Sequence, residues 1–315
     1  MGIFSAIISR LAYYRIIRPI SLVPTGVLYA FSDLLFYFVY YVAPYRYGVV
    51  IKNLRASFPE KSEPEIQKIC KQFYRQFCEL TVEGIRGFGI SKNEILKRYK
   101  FVNPEVMDQY FERGKRVMQV GGHLGNWEWS PLALPSLSRF KTYGVYQHLT
   151  NPFFDRKVAK SRMRFGAFLI NLDDATKYRA EIDEMATMGF FMDQSPARTS
   201  RKYWLKFLNQ YTPTQFKAES LAVRHGDPVV FFEVKRVKRG YYELRWIPIT
   251  DDPKNTKKGE ITETFMRLLE KAIRADPPTW LWTHNRWKIK LTPDELKPYP
   301  DLVSAEVKRE LEELR

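Results

Sequence analysis

Along most of the chain, apolar residues recur at helix or strand spacing, and only near the amino terminus do they run together. After Pro59, Ser62 and Glu65 form a capping box ahead of Ile66, Ile69, Cys70, Phe73, Phe77 and Leu80, which predicts an amphipathic helix. Ser91 with Glu94 predicts a shorter helix, and Asn103-Pro104 opens another that Gly114 ends. Arg116 to Val120 and Tyr143 to Tyr146 read as short strands. Asn151-Pro152 predicts a helix to Gly166, and Asp174 to Met188 reads as a further helix. Phe190 to Asp193 is a short apolar strand stopping at a carboxylate, before a loop over residues 194–202. Thr214 is expected to cap a helix ending at Gly226, and Val229 to Val237 with Tyr241 to Ile249 predicts a hairpin. Helices over Glu260 to Arg274 and from Ser304 complete the pattern. Such alternation implies an α/β layer architecture, a sheet covered by helices.

Residues 20–44, ISLVPTGVLYAFSDLLFYFVYYVAP, break that pattern, with Asp33 as their only charge. Their length suits a membrane span of roughly 20 residues. Pro24, Asp33 and the many aromatics suit the membrane interface as well. A buried core helix is the competing reading. Positive charge flanks both sides (Arg10, Arg15 and Arg18 before, Arg46, Lys52 and Arg55 after), so orientation is not encoded there. The economical division is an amino-terminal anchor over 1–45 and one catalytic domain over 46–315.

Composition then narrows the partners. The 315 residues carry 51 Lys+Arg against 35 Asp+Glu, a formal net charge of +16, which favours an anionic partner without naming it. With 45% hydrophobic residues the chain has material for a packed core, so disorder is excluded. Its two cysteines, Cys70 and Cys78, would lie roughly 12 Å apart on one helix, beyond disulfide reach. No cluster has metal-ligand spacing, and glycine-rich nucleotide motifs are missing, so neither metal nor cofactor is expected. A nucleic-acid-binding protein would also fit the charge, but no recognition motif accompanies it.

Chemistry concentrates in Gly121-Gly122-His123-Leu124-Gly125-Asn126-Trp127-Glu128, at the expected end of a strand. Carboxyl ends of strands are where sites form in open α/β sheets, and glycines such as Gly122 let the backbone approach a ligand closely. If His123 lies in the turn and Glu128 in the first helical turn, the carboxylate reaches an imidazole nitrogen. It would then fix the tautomer and stabilise the cation formed when His123 acts as a base. A glycine turn with a structural histidine is the alternative. Asn126 either positions an acceptor or caps the helix.

GGHLGNWE resembles the H-x4-D/E motif of the lysophospholipid acyltransferase superfamily. More closely, the chain resembles the late acyltransferases of lipid A biosynthesis, the lauroyl/myristoyl type of Gram-negative bacteria. Asn53-Leu54 with Ser57-Phe58-Pro59-Glu60 is similar to that family's amino-terminal signature, and Tyr146 through Asn151-Pro152 and Asp155 to its second block. Ser161-Arg162-Met163-Arg164, Met192-Asp193-Gln194 and the Trp-rich run Pro278 to Lys288 follow in family order. Gln147-His148 and the stretch Lys206 to Gln215 depart from the pattern, which bears on the acceptor more than on the chemistry.

The resemblance implies a glycerolphosphate-acyltransferase-like mixed sheet covered by helices, with an amino-terminal membrane-anchoring helix. It implies direct transfer of an acyl chain from a thioester to a hydroxyl, with His123 as base and Glu128 orienting it. Arg162 is the implied cation for the oxyanion, Arg164 the second choice, and Asp193 is expected to pair with Arg162. His284 and Arg286 are implied to lie near the site. Acyl carrier protein is the favoured donor over acyl-CoA, and a lipid A precursor the favoured acceptor over another glycolipid, aminolipid or polyene lipid. The implied location is the bacterial inner membrane, with the catalytic domain on the cytoplasmic face.

Overall fold

The computed structural model describes residues 3–313. Nine strands are present among them: β1 (Tyr99–Phe101), β2 (Val117–Gly121), β3 (Lys141–Tyr146), β4 (Phe168–Asn171), β5 (Ala186–Phe191), β6 (Lys202–Phe207), β7 (Gln210–Gln215), β8 (Val229–Lys238) and β9 (Tyr241–Thr250). Seven form a sheet in the order β1-β9-β8-β2-β5-β3-β4, and β6 and β7 form a separate antiparallel hairpin. Within the large sheet only the β8–β9 pair is antiparallel, so the expected mixed α/β sheet flanked by helices is what forms.

β2 and β5 are parallel neighbours at the centre, and both read as near-continuous apolar runs because helices cover both faces. One core, with Met118, Val120, Phe231 and Leu269, lies beneath helices Glu63–Gly87, Lys217–His225 and Glu260–Ala275. The other, with Trp129, Val230, Phe232 and Trp246, lies beneath helices Lys92–Arg98, Glu105–Glu112 and Ser130–Leu137. The Ser62–Glu65 capping box forms as the sequence predicts. Cys70 and Cys78 are both buried free thiols, and burial pushes each up to about 12.

Three helix boundaries differ from expectation: the helix expected to run to Gly166 ends at Arg162, and two others are displaced by strands. The helix expected over 174–188 stops at Glu181, because Ala186–Phe191 pairs between β2 and β3 and the sheet overrides local preference. Thr214 lies opposite Tyr203 in the β6–β7 hairpin and caps nothing; the helix begins at Lys217.

One helix, Thr25–Val42, is long and apolar enough to cross a membrane, and 22% of it is buried. The buried face is specific. Leu28, Ser32 and Phe36 pack inward, Tyr29 donates to Glu83 (2.6 Å), and Arg239 donates to Asp33 (2.6 Å). Asp33, the odd charge in the apolar run, is therefore a docking group. Phe36 belongs to the larger core, so this segment packs as part of the same body as residues 46–313.

Candidate active site

The register of two central strands builds the site. Gly121 at the end of β2 is the partner of Phe191 at the end of β5, and Met192 N–H donates to Gly121 O (3.0 Å). His123 and Asp193 each lie two residues beyond that pair, which brings side chains distant in sequence side by side. His123 Nδ1 lies 2.6 Å from Asp193 Oδ1, while Asp193 Oδ2 accepts from the His123 backbone N–H (2.8 Å) and from Trp280 Nε1 (2.8 Å). Burial by itself would raise the Asp193 carboxyl, but the adjacent imidazole, the His123 backbone N–H and Trp280 hold it down to about 2. An ionised carboxylate on Nδ1 fixes the Nδ1–H tautomer and leaves Nε2 as acceptor. Gln194 Nε2 lies 3.2 Å from that nitrogen.

Glu128 does not take the expected place. Both its oxygens accept from Arg162 Nη2 (2.9 and 2.8 Å), so the expected His123–Glu128 contact and the expected Arg162–Asp193 pair are replaced by His123–Asp193 and Glu128–Arg162. The reason is local. Residues 127–129 form a single 3-10 turn, which carries Glu128 outward toward helix Pro152–Arg162 rather than back toward His123. Arg162 Nε is buried and has no hydrogen-bond partner among the described residues.

Glycines shape the turn. Gly125 adopts φ +53, the left-handed region that other residues enter at a cost, and a Cβ on Gly122 would meet Leu269 at 2.5 Å. Gly122 thus sits against the Leu269 side chain of the core, with the Asp193 carboxyl carbon 3.5 Å from where its Cβ would lie. The turn's amides are already engaged: His123 N–H with Asp193, Leu124 N–H with Gly122 O (2.8 Å) and Gly125 N–H with Thr279 O (3.2 Å).

Three other expected ligand-binding residues hold the framework instead. Asn126 is fully buried, donating to Glu83 Oε2 (2.7 Å) and accepting from Trp129 N–H (3.0 Å), so its capping role is the one observed. Arg164 donates to the carbonyls of Gly87, Phe88 and Ile90, closing the end of the long helix. Arg286 is wholly enclosed and donates to Pro213 O (2.7 Å) and Thr214 Oγ1 (3.2 Å), pinning the β6–β7 hairpin. His284 lies beside the site: its Nε2 accepts from Ser195 N–H (2.9 Å), and burial pushes it down to about 4, so it stays neutral. Asn53 Nδ2 donates to Trp282 O and His284 O (both 3.0 Å), joining the amino-terminal and Trp-rich blocks.

Glu83 escapes the sequence reading. It is wholly buried, accepts from Tyr29, Tyr242 and Asn126, and is pushed up to about 7, burial outweighing the three donors. Its signal was present: Glu83 continues the apolar stripe of Phe73, Phe77 and Leu80, where a charge is out of place.

A cavity of about 320 Å³ opens at His123 and runs beneath helix Ser130–Leu137, past Leu134, Val145, Ala167 and Leu169. Trp127 and Gln194 touch the imidazole, and Glu128 and Arg162 line the same cavity. The arrangement pairs a base with an apolar slot and a nearby guanidinium, which suits attack on the carbonyl of a long-chain substrate.

Comparison with known proteins agrees. The profile of the bacterial lipid A biosynthesis acyltransferase family matches residues 5–289. A search of curated proteins found no match. The chain belongs to the bacterial lipid A biosynthesis acyltransferase family, and is an acyltransferase.

Proposed function

From that membership, we propose that the protein moves a fatty acyl chain from an acyl thioester to a hydroxyl of a lipid A precursor, with His123 and Asp193 as the working pair. The observation that carries the reading is the His123 imidazole, which lines the apolar cavity, is tethered through Nδ1 to buried Asp193 and has Nε2 beside Gln194, also of the cavity lining. Nε2 takes the hydroxyl proton as the oxygen attacks the thioester carbon. The tetrahedral oxyanion then collapses, the C–S bond breaks, and the imidazolium returns the proton to the leaving thiolate. Asp193 stays ionised throughout and stabilises the cation. Because the amides of residues 123–125 are engaged, the oxyanion falls to Arg162, whose Nε is free and whose Nη2 is held by Glu128. Glu128 is thus a positioning residue.

Acyl carrier protein, an acidic partner, is the favoured donor over coenzyme A. Exposed cations at Lys115, Lys235, Lys238, Lys254 and Lys257 support electrostatic steering of such a protein. Arg236 and Arg239 contribute less, since both are engaged by Glu79. Attachment to a membrane is supported by the exposed apolar side chains of residues 7–45, among them Leu11, Val27, Phe31, Leu34 and Val42; the cytoplasmic face of the inner membrane is the proposed location.

Incubation of the purified protein with acyl carrier protein thioester and a lipid A precursor tests the reading by mass spectrometry. A product heavier by one acyl chain is expected, lost in His123→Ala with the fold retained by circular dichroism. No product from the unmodified protein with either carrier sinks the proposal.

A further inference from the structure

A second apolar groove, of about 390 Å³, lies between helix Glu63–Gly87 and helix Pro152–Arg162. Leu80, Thr81, Gly84 and Ile85 form one wall and Val158 the other. It meets the first cavity at four shared residues: Trp127, Glu128, Leu149 and Arg162. Two apolar spaces therefore meet at the Glu128–Arg162 pair; His123 lines the first of them, and Trp127, whose ring packs edge-on against the imidazole at 5.1 Å, lines both. At its far end the groove reaches Phe88, whose ring packs edge-on against Tyr13 at 5.7 Å. Tyr13 belongs to the amino-terminal segment whose outer face bears the exposed Ile7, Ile8, Leu11 and Ile16. That segment is bolted to the same helix that walls the groove: Asn151 donates to Ser9 (2.8 Å) and Lys157 to Tyr14 (2.7 Å).

We propose that this groove holds a hydrocarbon chain of the hydroxyl-bearing lipid, while the cavity beneath helix Ser130–Leu137 holds the chain of the thioester. The assignment rests on the acyl-transfer reading above. Its physical basis is how each chain must arrive. A chain delivered singly on a soluble carrier has to leave water, which a slot running against the sheet strands provides. A lipid drawn from a bilayer keeps its remaining chains in the apolar phase, so its path must stay continuous with an exposed apolar surface. The second space has that continuity, through Phe88 and Tyr13 to the exposed Ile7, Leu11 and Ile16. Glu128 and Arg162, at the junction, then separate the two chains while Nε2 faces the joined headgroup region.

Photoaffinity labelling tests the assignment without requiring turnover. Two probes are needed: a phosphorylated glucosamine disaccharide lipid with a diazirine near the end of one acyl chain, and an acyl carrier protein thioester with a diazirine-tailed chain. The lipid probe is expected to label residues 77–88 and 152–162, and the thioester probe residues 131–147 and 167–172. Gly84→Phe fills the groove at a position where a Cβ meets nothing within 4 Å, so the helix accepts it. It is expected to cut lipid-probe labelling and raise the lipid KM by about tenfold, with the thioester KM held within about twofold. Lipid-probe labelling of 131–147, thioester labelling of the groove, or no change in Gly84→Phe each overturns the proposal. Groove labelling by the lipid probe in a protein that transfers no acyl group sinks the transfer reading and upholds the groove. Transfer with an unlabelled groove does the reverse.

Discussion

Asp193 and Glu83 are both sealed from water, and they grip the His123 turn from opposite ends, yet their carboxyls are shifted in opposite directions. Asp193 faces an imidazole and accepts two N–H donors besides, so its carboxylate is favoured and sits near 2. Glu83 has only neutral donors, two phenols and an amide, with Glu79 as a further negative charge nearby, and it sits near 7. Desolvation is common to both. A partner able to carry positive charge decides the direction of the shift. The ionised end of the turn can therefore support proton transfer, whereas the other end is a latch tying the turn to Tyr29 of the amino-terminal helix and Tyr242 of β9.

Removing the charge at the first end should have the largest effect. Asp193→Asn is expected to cut acyl transfer by about 10³- to 10⁴-fold with the fold retained, read as product formation beside a circular dichroism spectrum. Glu128→Gln, which loosens Arg162 without touching the imidazole, should cost about 10²-fold in kcat and leave the Asp193–His123 pair intact. An equal loss in both variants would mean that Glu128 acts on His123 after all.

The latch should matter less for rate and more for pH dependence. Glu83→Gln is expected to lower kcat by about tenfold, through a slightly displaced turn. The folded Glu83 holds its proton above the ordinary value of 4.5, so its contribution to stability is fully present below pH 4.5 and lost as pH rises through about 7. Thermal melts from pH 4 to 8 should show that decline in the unmodified protein and a flatter profile in Glu83→Gln. Asp193 has the opposite sign: its folded value lies below the ordinary 3.8, so its contribution is present above 3.8 and lost as pH falls through about 2. The smallest effect is expected from Gly125→Ala, which places a side chain at φ +53 and should destabilise by about 1–2 kcal/mol in a denaturant titration.

Much of this was legible in advance for physical reasons that differ by region. The β8–β9 hairpin, the Ser62 cap and the Asn151 helix start appear because turn and cap chemistry is local. The strands β1, β4, β6 and β7 were not resolved from their surroundings, being short runs whose order comes from their neighbours. Arg164 and Arg286 illustrate a different limit. A cation in a motif reads as a ligand group, and only packing reveals that its donors end on the chain's own carbonyls.

By itself, the sequence determined the base and its setting: His123 in a glycine turn at the end of an apolar strand, an apolar amino-terminal segment, thiols out of bonding reach, and the family. The tertiary structure decided which carboxylate serves the base. Spacing along the chain favoured Glu128, five residues away. Parallel pairing of β2 with β5 instead delivers Asp193, because two strand ends in register extend equally far beyond the sheet. The single turn of helix after Asn126 carries Glu128 to Arg162. Contact between a residue and a neighbour in sequence depends on local backbone geometry, whereas strand register can join any two points of the chain.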